Sequence, residues 1–213
     1  MLDPKQRFSQ RVENYVKYRP GYPAAIIQWL AIKCNLTAQS VIADIGSGTG
    51  LLAHLFLENG NPVFGVEPNR EMREAGEAFL RSFARFTSVA AAAEATTLPA
   101  ASVDFVTAGQ AFHWFEPQAA VAEFRRILRP HGWVVLVWNE RQVGGKDTPF
   151  LVAYEQLLQT YGTDYATVDH RRCGPDELSR LFGDDAQRAP CDNRHDFDFE
   201  GVKGRLLSSS YAP

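Results

Sequence analysis

Three glycines at alternate positions, Gly46, Gly48 and Gly50, follow an apolar run that ends in an acid, Asp44, and a second acid, Glu67, stands 17 residues after Gly50. Glycine has no Cβ, so such a loop can turn sharply and let a ligand approach the backbone where a side chain would collide. An acid at the carboxyl end of the next strand can accept hydrogen bonds from both hydroxyls of a ribose. Loop and acid in this order describe a site for a nucleoside-bearing ligand. A dinucleotide asks for a further glycine at position 51, where a helix packs beneath a pyrophosphate, and that position is Leu51. The loop Asp44-Ile45-Gly46-Ser47-Gly48-Thr49-Gly50 suits instead an uncharged linkage and an amino-acid tail, whose ammonium group Asp44 can pair. S-adenosylmethionine is such a ligand. A nicotinamide dinucleotide serving an oxidoreductase stays open as the alternative, because the same acid would hold its ribose.

The elements around these residues must present them at one edge. Ser40 to Ile45 is a short apolar run, and Leu51, Leu52, Leu55 and Phe56 then recur at helical spacing. A second strand, Pro62 to Val66, ends at Glu67 and is followed by a helical stretch from Arg70 to about Phe83. Next come a weak strand from Phe86 to Ala90, a strand from Val103 to Thr107, a helix from Gln118 to Leu128 and a strand from Trp133 to Trp138. Strands alternating with helices predict an α/β fold: a doubly wound, mainly parallel Rossmann-like sheet with helices on both faces. After Asn139 the rhythm breaks into helical patterns at 150–161 and 175–182, with Arg194 to Phe199 reading as a strand; the expectation is a small helical cap with no closing strand. Three parts follow: residues 1–39, an arm and helix covering the cofactor site; 40–139, the binding core; and 140–213, a substrate cap with a truncated end of the sheet. Tyr15 to Pro23, rich in proline and aromatics, reads as an irregular arm lying over the site.

Composition limits the partners. The 213 residues are 45% hydrophobic and 22% charged, with a formal charge of -3 and a pI near 6.0. That balance argues against a nucleic-acid binder, which needs clustered Lys and Arg. The N-terminus has no apolar leader-like run, and no uncharged apolar stretch reaches the roughly 18 residues of a membrane span, so a cytoplasmic protein is expected. Cys34, Cys173 and Cys191 are far apart without a CxxC pair, which indicates neither disulfide nor metal site. Oligomeric state has no signature in the sequence.

Downstream, Ala93-Glu94-Ala95-Thr96-Thr97-Leu98-Pro99 follows the third strand, Ser102-Val103-Asp104-Phe105 opens the fourth, and Gln110-Ala111-Phe112-His113-Trp114-Phe115 follows it. With the glycine loop, Glu67, the F-S-x-R-V-x-x-Y-x-x-Y-R-P-G-Y-P arm and the W-N-E-R beginning at Trp138, these segments resemble the class I S-adenosylmethionine-dependent methyltransferases, within them the type 11 branch that holds the trans-aconitate-like enzymes. The similarity runs from about Phe8 to Tyr211. It implies that Asp44, Gly46, Ser47, Gly48, Thr49 and Gly50 receive the methionine part and the turn, Glu67 the ribose, Pro68 and Met72 an adenine or ribose face, and Glu94 with the Ala95 backbone the adenine edge. Gln110 would close the site, with Tyr18 and Arg19 of the arm over the cofactor and its carboxylate. His113 and Trp114 stand on the substrate side; His113 is the candidate base, and Arg19, Arg141 and Arg171 are candidate clamps for a small-molecule acceptor that is a carboxylate. The implied reaction is methyl transfer to that acceptor. A chain that binds the cofactor without turnover is the rival, since relatives usually continue through another helix and a final strand.

Overall fold

A computed structural model describes residues 17–140, 148–163, 174–183 and 186–209. Five strands, β1 (Ile42–Ile45), β2 (Val63–Val66), β3 (Phe86–Val89), β4 (Val103–Gly109) and β5 (Leu128–Val137), form a sheet of order β3-β2-β1-β4-β5. All its pairings are parallel. The chain winds outward from β1 to β3, then crosses back to place β4 on the other side of β1. Loops leaving β1 and β4 therefore diverge and open a crevice at the carboxyl ends of those strands, where open α/β sheets bind ligands.

Helices cover both faces, as the alternation of elements predicts. The helices of the strand-linked part are α1 (Ala25–Cys34), α2 (Leu51–Glu58), α3 (Arg70–Leu80) and α4 (Pro117–Ile127); beyond β5 lie α5 (Pro149–Tyr161), α6 (Pro175–Phe182) and α7 (Phe199–Leu207). On one face Ile26, Leu30, Leu52, Phe56 and Leu80 of α1 to α3 pack on Ile42, Val63 and Phe105. On the other, Ala120, Val121, Phe124 and Ile127 of α4 pack on Ala43, Ile45, Val66, Val106 and Ala108, with Leu178, Leu181 and Phe182 of α6 against the same cluster. In β5 Val134 and Leu136 face one core and Val135 and Val137 the other, which is the period of two expected of extended backbone. All four residues of β1 are buried, so nothing in this strand faces water.

Three expectations from sequence need correction. Arg194 to Asp198 pairs with no strand, and Phe199 already opens α7. The alternation Arg-His-Asp-Phe-Asp-Phe has strand period, but the Asp198 carboxylate accepts the Gly201 N–H at 2.7 Å, and this N-cap starts a helix instead. In the arm, Lys17 and Tyr18 are helical, whereas Arg19 to Pro23 are irregular as expected. The last strand also starts earlier than its apolar run: β5 takes in Pro130, His131 at φ +65° and Gly132, with a register shift opposite Val103–Phe105. A Cβ at Gly132 would lie 2.9 Å from the Asp104 carbonyl oxygen, so the sheet admits this irregular entry only with glycine there. Among the described residues no strand lies beyond β5, which with β3 forms the sheet's edges. No described helix is long and apolar enough to cross a membrane.

Candidate cofactor site

Asp44 stands in β1, opposite Gly65 of β2 and Thr107 of β4. It is fully buried; its Oδ1 accepts the Thr107 hydroxyl at 2.9 Å, and its Oδ2 has no hydrogen-bond partner. Taking a carboxylate out of water favours the neutral form, and this desolvation, opposed in part by the Thr107 bond, pushes the Asp44 pKa up to about 7. A buried oxygen left unpaired costs on the order of 1–3 kcal/mol. A cationic donor entering beside Oδ2 would offset that cost and return the acid to its charged form.

After Ile45 the chain turns. Gly46 and Ser47 both donate to the Val66 carbonyl, at 2.8 and 3.1 Å, which pins the loop to the end of β2. Gly46 and Gly50 have φ of +66° and +84°, and a Cβ would lie 2.7 Å from Ala111 Cβ at the first and 2.6 Å from Leu80 Cδ1 at the second. Both positions need glycine for conformation and for space. The Gly48 N–H donates to Glu67 Oε2 at 2.9 Å, and Glu67 Oε1 accepts the Asn69 N–H at 2.8 Å. Asn69 in turn caps α3 by accepting the Met72 N–H at 2.9 Å. Glu67 is thus the clip between the glycine loop and the start of α3. Burial raises its pKa, against the backbone bonds from Asn69 and Gly48 and the nearby Arg73. Each carboxylate oxygen retains acceptor capacity after one such bond, so this clip can still take ribose hydroxyls.

Two adjoining clefts open above this loop. One is lined by Tyr22, Asp44, Gly46, Ser47, Thr49, Leu51, Leu52 and Gly109. The other, sharing Tyr22 and Leu51, adds Arg19, Pro20, Gln110, Asn139 and Arg205. Thr49 Oγ1, like Asp44 Oδ2, is buried without a partner at the first cleft. Gln110 sits at φ +54° after β4, and its Nε2 donates to the Asn139 carbonyl at 3.2 Å, bridging the ends of β4 and β5.

Of the residues singled out in the sequence, Arg19, Asp44, Gly46, Ser47, Thr49 and Gln110 line these clefts, with Gly48, Gly50, Glu67 and Met72 forming the loop and its support. Pro68 and Ala95 are exposed outside the lining, and Glu94 accepts the Glu116 N–H at 2.9 Å, ahead of α4. Tyr18 packs on Gly204 of α7 rather than on the loop. His113 and Trp114 share a 3-10 turn with ring centroids 4.9 Å apart and line neither cleft. Arg141 and Arg171 lie outside the described residues. Sequence reasoning missed Leu52, Gly109, Asn139 and Arg205 as lining residues. Gly109 had a usable signal, a glycine ending a strand: a Cβ there would meet Tyr22 Oη at 2.6 Å. Arg205 had none, being one arginine on a short helix.

Residues 43–136 match the profile of a methyltransferase domain family. This matched segment holds β1 through β5 almost entire and all of the glycine loop. Residues 43–136 thus carry a methyltransferase domain. An uncharacterized methyltransferase of Mycobacterium tuberculosis is 37% identical over 139 residues, 65% of this chain and 54% of that one. One of Schizosaccharomyces pombe is 30% identical over 153 residues, 71% and 59% of the two chains. A protein of Anaeromyxobacter dehalogenans classed as a type II methyltransferase shares the fold with a TM-score of 0.58 at 32% identity, over 68% of this chain and 60% of that one. The methyltransferase chain described above thus spans little more than half the length of these curated relatives. S-adenosylmethionine is the cofactor of this methyltransferase domain, and the unpaired Asp44 Oδ2, the unpaired Thr49 hydroxyl and the loop that excludes Cβ atoms fit a ligand with an ammonium tail.

Proposed function

We propose that this methyltransferase transfers a methyl group to a small-molecule acceptor, with a carboxylate as the accepting group. The observation that carries the cofactor half is the fully buried Asp44, unpaired at Oδ2, at the floor of the cleft behind the glycine loop. Asp44 holds the ammonium of the methionine tail, the Thr49 hydroxyl another of its polar atoms, and Glu67 the ribose. Glu94 and Ala95, on the loop after β3, take the adenine edge, and Met72 supports Gly48 from beneath. Leu51 supports this reading over a dinucleotide, because its side chain faces the cleft where a pyrophosphate would need the bare backbone of a helix start. S-adenosylmethionine supplies a methyl already activated on a sulfonium. The chain's own work is to align the acceptor with that methyl and to keep water out. A carboxylate acceptor is ionised at neutral pH and needs no base, in keeping with His113 standing off the cleft lining.

The test is calorimetric titration with S-adenosylmethionine, S-adenosylhomocysteine and NAD, followed by a screen of small carboxylates for methyl transfer. Glu67→Ala should weaken binding of the first two at least about tenfold, since it removes the ribose acceptor and leaves the Gly48 and Asn69 N–H groups without one. His113→Ala should transfer at the wild-type rate. NAD binding, or a folded protein that binds none of the three, would overturn the reading.

A further inference from the structure

Beyond Asp104, β4 is an apolar strand interrupted by one hydroxyl. Phe105, Val106 and Ala108 are buried hydrophobic residues, and Thr107 among them is fully buried too. A buried hydroxyl is costly without a hydrogen bond, and valine has the same branched shape without that cost, so packing alone would favour valine here. The Thr107 hydroxyl donates to Asp44 Oδ1 at 2.9 Å, across the pairing of β1 with β4 that sets the two residues side by side. That bond occupies one carboxyl oxygen and leaves Oδ2, which has no partner, as the oxygen available to the cleft. Burial, the largest influence, pushes the Asp44 pKa up to about 7; the Thr107 bond is the largest influence in the other direction, ahead of the Ala53 N–H, and Glu67 adds to the rise. The Tyr22 phenol lines the same cleft. Other charged side chains of the elements around Asp44 are engaged elsewhere: Asp104 of β4 with Arg129, His54 of α2 with Glu58 and the Phe79 ring, and Arg73 of α3 with the Glu67 carbonyl.

We infer that Thr107 is a positioning residue of the cofactor site: acting through Asp44 Oδ1, it turns Oδ2 toward the incoming ammonium and favours the carboxylate that pairs with it. The inference rests on the proposed function, because it takes the ammonium-bearing tail as the ligand of Asp44. A hydroxyl donates more strongly to a carboxylate than to the neutral acid, so the bond acts on charge as well as on orientation. Losing it therefore weakens binding of a ligand that carries the tail and moves the onset of that binding to higher pH. A ligand without the tail is indifferent to it.

The test is calorimetric titration of the whole chain and of Thr107→Val and Thr107→Ser between pH 6 and pH 8, with Thr107→Ala as a second variant lacking the hydroxyl should valine prevent folding. S-adenosylhomocysteine carries the amino-acid tail; 5'-methylthioadenosine lacks it but keeps the ribose, so it also reads any pH effect of Glu67. At pH 7 Thr107→Val should bind S-adenosylhomocysteine about tenfold more weakly or worse, and its affinity should still climb at pH 8, where the wild type has nearly levelled off. Affinity for 5'-methylthioadenosine should stay within about twofold of wild type, and Thr107→Ser, which keeps the hydroxyl, should restore both the affinity and the pH profile. Wild-type affinity and profile in folded Thr107→Val overturn the inference and leave the cofactor reading standing. An equal loss on both ligands at every pH, not restored by serine, overturns it too, since that is the mark of a packing defect. A wild-type protein that binds neither adenosine ligand overturns the proposed function itself and this inference with it.

Discussion

Asp44 shows how one residue joins stability to binding. Its folded pKa, about 7, lies above the ordinary 3.8 because burial disfavours the anion. The sign follows: the group contributes stability that is fully present below its unfolded pKa and is lost as pH rises through about 7. Above that pH the empty site holds a charge its surroundings oppose, and a bound ammonium is what makes the charge tolerable. Asp44→Asn, an isostere of the neutral acid, should therefore be more stable than wild type at pH 8 by on the order of 1–2 kcal/mol, with a smaller gain at pH 5. The same variant should bind S-adenosylhomocysteine at least about tenfold more weakly, whereas wild-type binding tightens between pH 6 and pH 8. Urea unfolding of both proteins at the two pH values, with calorimetry alongside, reads both effects. Equal stability throughout would mean that Asp44 is not the desolvated acid described. The residue was legible in the sequence as an acid before a glycine loop; that its pKa is pushed up to about 7 was not, because burial is a property of β1 lying between β2 and β4.

Elements place the remaining pieces, and the loop between β3 and β4 is the instructive one. It carries Glu94 and Ala95 and is held by α4 as well as by its own turn, in which the Ala95 N–H donates to the Ala92 carbonyl at 3.2 Å. Glu123 Oε1 accepts the Thr96 N–H at 2.8 Å and the Thr96 hydroxyl at 2.6 Å, and Arg126 Nη2 reaches from the same helix to the Leu98 carbonyl at 2.7 Å. The Arg126 bond, ahead of the Thr96 bonds, holds Glu123 down to a pKa of about 2 despite burial. Glu123→Ala would strand the Thr96 donors and should destabilise the protein by about 1–3 kcal/mol at pH 7. Because the folded pKa is depressed, the wild-type advantage is present above the ordinary carboxylate pKa of 4.5 and fades as pH falls toward 2. Urea midpoints of the pair at pH 7 and pH 3 should therefore converge; a gap of the same size at both would argue that packing, not the charge, holds the loop. Strand and helix order was readable from hydrophobic period, since the two cores need it. This latch was not, because Glu123 and Thr96 are 27 positions apart and nothing local marks them as partners. The failed strand at 194–199 has a related cause: an alternating pattern needs a neighbour to become a strand, and the Asp198 cap acts without one.

Across the whole molecule, the two ends of the described chain meet over the carboxyl edge of the sheet. The Arg19–Ser208 bond spans 189 positions, and Tyr18 lies so close to Gly204 that a Cβ there would run into its ring. Neither contact could be read from the sequence, where the arm looked like a cover for the glycine loop and the segment leading into α7 like a strand. The geometry makes the arm's position depend on α7, so that the mouth of the cleft is closed by a long-range clasp while its floor is built from residues close in sequence. Gly204→Ala separates this clasp from local effects. Helix propensity alone says the change should stabilise α7, by about 0.5–1 kcal/mol. Collision with Tyr18 says the opposite: the arm should be displaced and the Arg19–Ser208 bond broken. The expected outcome is faster amide hydrogen exchange in residues 17–22 and weaker binding of S-adenosylhomocysteine, with exchange in β1 unchanged because that strand is wholly buried between β2 and β4. A variant that is more stable than wild type, with unaltered exchange in the arm and undiminished binding, would mean that in solution the arm does not rest on α7 and that Arg19 reaches the cleft by some other support.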